Sequence, residues 1–384
     1  MGKRELLIAV TFVVIGFGVY KLTAPPGDPS RSGFSLSAIV NEIRREIRGQ
    51  RVTADATFTA AQAVPETVTE IRLAFNIGAV TIVGEDRDDV EAEMHVRSTG
   101  YDTEEATRLA KASHLQFDEA GALLIIAGKF PVEGRQTPTL RLKVPARLGV
   151  RMDEKGSTLQ ITNVASVLIA GGRGDTTIER VAGSVTVTQR GSEIVVRDVG
   201  ALRLTTLSGA EARVSDVRGD AAFSLQSGEV RAEGLGGGLE VESRNTELLF
   251  DRLENLKGPV RINANLGEVV LLGLRADTRI DGRRTEIRVD HAGGGPLAIY
   301  NDGDEVIEVT VPSAGFTIDA VAAGGRVSLD PSLEEAGLRL TTAGGQDDDS
   351  TAGAESRVAG TVGGGGSLIT LRARHGGDIV LKAR

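Results

Sequence analysis

The chain of 384 residues contains no cysteine and no tryptophan, and it has only three tyrosines and ten phenylalanines. Without cysteine, the protein forms no disulfide, offers no thiol nucleophile and holds no metal through thiolates. The scarcity of aromatic side chains disfavours a wide globular core. It also disfavours a polysaccharide-degrading enzyme, which needs aromatic platforms for its sugars. These absences favour a thin β core filled by Val, Leu and Ile.

Excess positive charge and clustered histidine are missing as well. The formal net charge is −9, which disfavours nucleic acid as a partner, because binding to phosphates requires an excess of Lys and Arg. The four histidines are dispersed, without the spacing of a metal site or a catalytic triad: His95, His114, His291 and His375. We therefore predict no catalytic, cofactor-binding or metal-binding residue, no cofactor and no enzyme activity.

Glycine, by contrast, is abundant, with 49 residues, and it punctuates two interleaved series of strand-like segments. One series begins at Gly183, Gly200, Gly219, Gly238 and Gly258, and the other at Gly174, Gly191, Gly209, Gly228 and Asn245. Each series recurs about every 17 to 22 residues, which is the period of a solenoid. The sequence therefore predicts an all-β protein in which short strands stack as successive rungs.

Alternating apolar residues within these segments predict which side chains face inward. If each strand pairs with its equivalent in the next rung, about 4.8 Å away, continuous inner ladders result. The expected ladder residues are Val185, Val187, Leu202, Leu204, Leu239, Val241, Val260 and Ile262. Gly and Asn mark the corners, where we expect left-handed backbone conformations. Two-sided and three-sided rungs both fit this pattern.

The N-terminal 23 residues resemble a membrane anchor. Residues 6–20 form an uncharged apolar run after Lys3 and Arg4. The run is short enough for a signal-peptide core, but no usual cleavage site follows it, so we predict an uncleaved single-pass helix. The two basic residues place the N-terminus in the cytoplasm and the remaining chain outside the membrane. A buried helix is the remaining alternative.

The rest of the chain divides into three parts. Residues 24–51 read as a Pro- and Gly-rich linker and a short amphipathic juxtamembrane helix, which either lies on lipid, pairs with a copy of itself or caps the β core. Residues 52–150 are irregular but β-rich, with a short helix whose N-cap is Asp102 or Thr103 and a hairpin that begins at His114. Residues 151–384 form the solenoid, with a low-complexity loop at 343–366 and a closing rung after it.

Several turn motifs have a functional and a structural interpretation. Cation binding is conceivable at three of them: 301–305, 347–349 and the calcium-roll-like stretch from Gly171 to Glu179. Integrin-type Arg-Gly-Asp occurs at 173–175 and 218–220, and triple glycine at 236–238 and 293–295. The tripeptides lie at rung corners, and the calcium-roll match is a single imperfect copy. The stretch 301–305 reads as a polar turn and 347–349 as a solvated acidic loop. The glycine runs lack the strand, helix and Lys of a phosphate loop, so we interpret all of these motifs as structural.

Three segments together resemble a known family. They are LRLKVPARLGVRMDEKGSTLQITNV at residues 140–164, the repeated GxVxVxxxxG rungs, and the terminal GGGGSLITLRARHGGDIVLKAR. Over roughly residues 65–384 the chain resembles the bacterial putative-adhesin family of β-helical domains of unknown function, akin to the head domains of auto-transporter adhesins. The resemblance implies a right-handed parallel β-helix, often tethered in the cell envelope. It brings no catalytic residues.

These observations favour a membrane-anchored, envelope-exposed binding or scaffold protein of adhesin-like type. The expected location is the bacterial inner membrane, with the β domain on the periplasmic or extracellular side. Its partners would be the membrane and a protein or envelope polymer lying along one solenoid face, with self-association open. The face is expected to include Arg197, Arg213, Arg231, Glu179, Glu229 and Glu240. A polymerising cytoskeletal scaffold and a polysaccharide-acting enzyme are the alternatives.

The predicted orientation can be tested with protease. Because the anchor places the β domain outside the cytoplasm, protease added to spheroplasts should digest that domain and leave a small N-terminal fragment on an immunoblot. Full-length protein that survives intact spheroplasts, but not detergent-opened ones, would contradict this orientation.

Overall fold

A computed structural model describes residues 51–132, 134–156, 158–313, 315–343 and 355–384. The chain divides into two compact units, residues 1–51 and 52–384. The predicted anchor and juxtamembrane helix belong to the first unit and lie outside the described residues, except for Arg51. Among the residues that are described, no helix is long and apolar enough to span a bilayer. The second unit is all-β.

Within the described residues, the second unit contains twenty-six strands, two short helices and one 3₁₀ turn. Its first part contains β1 Val52–Ala63, β2 Glu70–Ala74, β3 Ala79–Glu85, β4 Asp89–Gly100, helix α1 Thr103–Lys111, β5 His114–Ala120, β6 Leu123–Lys129, β7 Gln136–Pro145, β8 Gly149–Met152 and β9 Leu159–Val164. The middle part contains β10 Ser166–Ile169, β11 Thr176–Gln189, β12 Ser192–Thr206, β13 Ala210–Val217, β14 Ala221–Leu225, β15 Gly228–Leu235, β16 Leu239–Asp251, a 3₁₀ turn Leu253–Asn255, β17 Val260–Leu274 and β18 Thr278–His291. The last part contains β19 Leu297–Asp302, β20 Ile307–Val311, β21 Phe316–Ala323, β22 Val327–Leu329, helix α2 Pro331–Glu335, β23 Arg339–Ala343, β24 Glu355–Val362, β25 Ser367–Arg374 and β26 Ile379–Ala383.

Most of these strands pair in parallel with a strand one period away. The ladder through Val187 runs from Ile169 through Leu204, Phe223, Val241, Ile262, Ile280 and Ile299. Every member of this ladder is at most 3% exposed. The eight residues predicted to form the inner ladders are all buried. The predicted register and period are therefore confirmed.

Each rung contributes two strand segments, one to each of two ladders. We call first side the ladder that contains β10, the C-terminal half of β11, β14 and β19, and second side the ladder that contains β9, the N-terminal half of β11, β13 and β20. A column of left-handed residues marks where the chain bends after the second side. Asn163, Arg180, Asp198 and Asp216 occupy it in successive rungs, with φ between 50° and 59°. The inward residues of both sides form one continuous core.

The glycines that begin the first-side strands have a different role from the one expected. Gly183, Gly200 and Gly219 do not have left-handed backbone angles. Instead, a Cβ at Gly183 would lie 2.8 Å from the carbonyl oxygen of Ala165, and one at Gly219 would lie 2.8 Å from that of Gly200. Close approach of successive rungs therefore excludes a side chain at these corners, whatever the local φ.

The order of rungs along the stack differs from the order in the sequence at the C-terminal end. Strands β25 and β26 lie between the rung β19–β20 and the rung β21–β22. The chain thus skips one rung position between Val311 and Phe316, and the last residues of the chain fill it. The closing rung expected from the sequence is present, but it is inserted and not terminal.

The N-terminal end repeats this arrangement. Strands β2 and β3 lie between the rung β6–β7 and the rung β8–β9. The skipped position here falls between Pro145 and Gly149, so the rung pairing begins at Glu70. The two skips coincide with the two Val-Pro segments that repeat in the sequence, Val144-Pro145 and Val311-Pro312. At both ends of the stack, therefore, the chain skips one rung position and another pair of strands occupies it.

Antiparallel strands and helices cover the two ends of the core. At one end β4 pairs with β1 and β7, β5 forms the predicted hairpin with β6, and helix α1 begins at the predicted N-cap, where Asp102 accepts from the amide of Glu105 at 2.8 Å. At the other end β24 pairs with β21 and β23. The sequence predicts a loop over residues 343–366, but residues 355–362 form strand β24, in which Ser356, Val358 and Val362 face inward.

The register can be tested with one core substitution and a control of identical chemistry. Val187 is fully buried in β11, whereas its neighbour Thr188 points outward. Val187→Asp should cost more than about 3 kcal/mol, because it buries an unpaired charge. Thr188→Asp and the corner change Arg190→Ala should each cost less than about 0.5 kcal/mol. Urea unfolding of full-length protein measures all three, and equal losses for the two Asp variants would refute the register.

Candidate functional site

One column of glutamates runs along the outer surface of the second side. Register pairing joins six glutamates from consecutive rungs, and we call them the glutamate column: Glu193, Glu211, Glu229, Glu247, Glu268 and Glu286. Each is exposed or half-buried, because it alternates with buried neighbours in its strand. Neighbouring rungs are about 4.8 Å apart, so like charges stack closely along the whole column.

Arginines in the adjacent outward column offset part of this repulsion. Arg213 forms ion pairs with both Glu193 and Glu211, and Arg231 pairs with Glu229. Arg288 bridges Glu268, at 2.9 Å, and Glu286. These pairs are solvent-exposed, so each contributes at most about 1 kcal/mol to stability. Their main effect is to fix the positions of the carboxylates.

The second side is nevertheless strongly acidic. From Asp175 to Glu308, four outward arginines face twelve outward carboxylates. The arginines are Arg197, Arg213, Arg231 and Arg288, and the carboxylates are Asp175, Glu179, Glu193, Glu211, Glu229, Glu233, Glu247, Asp251, Glu268, Glu286, Asp290 and Glu308. Three further cations pair with members of this set: Arg252 with Glu233, Lys382 with Glu308 and Arg384 with Asp290. Carboxylates therefore still outnumber cations on this side.

A shallow groove of about 490 Å³ follows the glutamate column. Its floor is made of small residues from successive rungs, among them Ala210, Gly228 and Gly267, and its wall includes Glu211, Glu229 and Glu247. Because small side chains leave the backbone accessible, an extended chain could lie along this floor beside the carboxylates. The groove and the column together form the candidate interaction face.

The structure brings together most of the face residues expected from the sequence. Arg197, Arg213 and Arg231 line one surface depression of about 350 Å³ on the second side. Glu179 pairs with Arg197 at 3.2 Å. Glu240 does not belong with them, since it lies on the first side in register with Arg261. The glutamate column was missed, although its signal was present: Glu193, Glu211, Glu229 and Glu247 occur at a constant spacing of 18 residues.

The histidines remain dispersed in the fold, with one unexpected partner. His375 forms an ion-pair contact with Asp302, which is 73 residues earlier, because the inserted strand β25 ends beside β19. His95 lies 3.7 Å from Asp55 at the surface. His291 is fully buried at the end of β18, and burial lowers its pKa below the usual value. No two of them share a site.

The two Arg-Gly-Asp segments are occupied by contacts between rungs. The guanidinium of Arg218 donates to the carbonyl of Val181 at 2.8 Å, and Asp220 accepts from the amide of Gly238 at 2.7 Å. In the other segment, Asp175 accepts from the amide of Glu193 at 3.3 Å. These bonds hold adjacent corners together and support the structural interpretation of both tripeptides.

In the calcium-roll-like stretch, a lysine side chain of the protein itself occupies the position beside the backbone carbonyls. Lys155 is only 2% exposed, and its ammonium donates to the carbonyls of Arg173, at 2.9 Å, and Gly174. Gln189 donates to the carbonyls of Gly174, at 3.3 Å, and Gly191, at 3.2 Å, and accepts from Thr176 at 2.8 Å. Burial lowers the pKa of Lys155 from 10.5 to about 8, although the charge of Asp175 opposes the shift. Carbonyls that could face a metal ion are thus satisfied by an ammonium group.

The other candidate cation turn is organised by an amide. Asn301 is buried and donates to the carbonyls of Thr285, at 2.9 Å, and Glu305, at 3.3 Å. Across the described ranges, no three His, Asp or Glu side chains are grouped as metal ligands. Residues 347–349 lie outside those ranges. The described turns therefore give no support to a metal-binding role.

The lowered pKa of Lys155 predicts a dependence of stability on pH. Between pH 8 and 10.5 the unfolded chain retains a proton on Lys155 that the folded chain has released, so the stability contribution of this group rises with pH. The slope approaches about 1.4 kcal/mol per pH unit. Thermal unfolding is measured for the wild type and Lys155→Met from pH 7 to 10. The melting temperature of the wild type should rise relative to that of the variant as the pH increases. A constant difference in melting temperature would contradict the assignment.

Comparisons with known proteins give two distant structural neighbours. No family model and no curated protein matches the chain. A crystal structure described as a putative cell adhesion protein from Clostridium sporogenes ATCC 15579 aligns over 86% of this chain and 100% of its own, with 7% identity and a TM-score of 0.18. One described as a putative adhesin from Bacteroides fragilis NCTC 9343 aligns over 85% and 97%, with 9% identity and a TM-score of 0.26. Both descriptions agree with the family that the sequence resembles, whereas TM-scores this low transfer neither geometry nor function.

Proposed function

We propose that this chain is a membrane-anchored, non-catalytic envelope protein that binds an extended cationic partner along its second side. In this proposal the stacked rungs form a right-handed parallel β-helix, and residues 1–23 hold it in the inner membrane. The observation that carries the proposal is the glutamate column, whose carboxylates repeat at the spacing of the rungs beside a groove floored by small residues.

The form of this surface favours a linear partner over a small molecule. Each rung offers one carboxylate at about 4.8 Å from the next, so a partner gains contacts in proportion to its length. Basic residues on a protein segment or an envelope polymer would complement the twelve carboxylates, which outnumber the seven cations that accompany them. The proposed tether would keep this surface close to the membrane and raise its local concentration toward other membrane components.

The capped ends of the stack weigh against the polymerising alternative. End-to-end growth of a solenoid requires open parallel edges at both ends. Here antiparallel strands β4 and β1 follow β7 at one end, and β24 and β23 follow β21 at the other. The buried titratable groups give no support to catalysis, because Lys155 is engaged by backbone carbonyls and His291 is enclosed in the core.

Two double variants with the same change in charge test the proposed face. Glu229→Lys/Glu247→Lys reverses the middle of the glutamate column, whereas Glu240→Lys/Glu242→Lys makes the same change on the first side. Each full-length protein is used for a pull-down from native membranes of a deletion strain and for complementation of that strain. The first variant should lose both the partner and the rescue, and the second should keep both.

The remaining outcomes separate a face from a discrete site. A tetherless version should bind the partner in vitro but rescue the strain poorly, because its local concentration at the membrane is lost. If Glu229→Lys/Glu247→Lys still bound the partner in the pull-down, the proposal would be contradicted. Full rescue by the tetherless and charge-reversed proteins, together with failure of His291→Leu or Asp175→Asn alone, would reveal a discrete active site.

A further inference from the structure

A cavity on the first side lies where the inserted C-terminal strand meets the preceding rungs. It measures about 210 Å³ and is formed by outward side chains of β18, β19 and β25. Its lining includes Arg279 and Asp281 from β18, Tyr300 and Asp302 from β19, and Arg372 and Arg374 from β25. Register pairing places Asp281, Tyr300 and Arg372 in one column, and Asp302 beside Arg374 in another.

Two of the three arginines are held in place by carboxylates. Arg279 donates to Asp281 through two hydrogen bonds of 2.7 and 2.9 Å, and its guanidinium lies 4.9 Å from the ring centroid of Tyr300. Arg372 forms an ion pair with Asp319 and donates to the carbonyl of that residue at 2.7 Å. The positions of Tyr300 and of two positive groups are therefore fixed before any ligand arrives.

The third arginine, Arg374, has no ion-pair partner among the described residues. Arg374 is exposed and, within the part of the chain that the structure describes, forms no ion pair or side-chain hydrogen bond, while its neighbour Asp302 contacts His375. A guanidinium that is free, exposed and beside two others is suited to bind a carboxylate through two parallel hydrogen bonds. The cavity therefore offers one vacant anion-binding group beside two arginines that carboxylates already pair.

The other lining groups select among anions. Asp281 and Asp302 oppose a doubly charged phosphate, but their carboxylates can accept hydrogen bonds from hydroxyl groups. The exposed part of the Tyr300 ring can contact the apolar face of a sugar. We propose that this cavity binds one carboxylate-bearing sugar unit, with the carboxylate on Arg374, the sugar ring against Tyr300 and its hydroxyls on Asp281 and Asp302. A volume of about 210 Å³ suits a single unit.

Binding at this cavity is linked to the inserted rung. Arg372 and Arg374 belong to β25, which fills the position that the chain skips after Val311. Tyr300 and Asp281 belong to β19 and β18, which precede the skipped position in the sequence. A ligand that contacts these residues and the two arginines of β25 binds only when β25 is inserted. By mass action it therefore stabilises the inserted strands, and it should slow the local unfolding of residues 367–383.

The experiment compares two sugars and two arginines in the full-length protein. D-Glucuronate and D-glucose differ at C6, where one carries the carboxylate. Titration calorimetry or ligand-observed NMR should show glucuronate binding at least about tenfold more tightly than glucose. Arg374→Gln should remove this preference. Arg203→Gln should keep it, because Arg203 is an exposed first-side arginine outside the cavity.

A second readout keeps the test decisive if a variant folds poorly. In the wild-type protein, glucuronate should increase hydrogen-exchange protection of residues 367–383, and glucose should not. Equal binding of the two sugars, unchanged binding by Arg374→Gln, or tighter binding of inorganic phosphate than of glucuronate would each overturn the proposal. The site is independent of the second side, so Glu229→Lys/Glu247→Lys should bind glucuronate as the wild type does.

Discussion

Parallel, in-register hydrogen bonding between successive rungs is the constraint on which the rest of the structure depends. Once Val187 pairs with Leu204, every residue of that strand segment, from Ser184 to Gln189, faces its counterpart one period away. Inward positions are then mostly apolar, because a buried polar group needs a hydrogen-bond partner within the core, as Thr176 and Gln189 provide for each other. Outward positions obey the same rule, so a charge repeated in the sequence becomes a column on the surface.

This constraint also produces the energetically unfavourable features of the molecule: stacked like charges, backbone carbonyls without a ladder partner and a buried ammonium group. Stacked glutamates repel each other, and arginines such as Arg213 and Arg288 lie where each can contact two of them. At the corners the backbone turns away from its ladder, and side chains such as Gln189 and Asn301 satisfy the carbonyls left there. Lys155 serves the same purpose with an ammonium group, and burial of that group lowers its pKa.

The features that depend on local periodicity could be predicted from the sequence, whereas those that depend on pairing between distant segments could not. Alternation and glycine spacing located the inner ladders, and Asp102 located the start of α1, because both signals lie within a few residues. The insertion of β25 and β26 leaves no such signal, since these strands look like any other rung and their partners lie far away in the sequence. For the same reason, Asp302 could not be joined to His375. The glutamate column was accessible from aligned repeats, whereas the position of Glu240 depended on knowing which half of the rung it occupies.

The inserted rung has a mechanical consequence. A terminal strand at the edge of a sheet can be peeled away one hydrogen bond at a time when its end is pulled. Strands β25 and β26 are instead bonded on both sides, by β19 and β21 and by β20 and β22. Tension applied at Arg384 loads two ladders in shear, and many hydrogen bonds must break together before the chain end is released. The lifetime of this pairing under force depends on the barrier to unfolding and not on equilibrium stability.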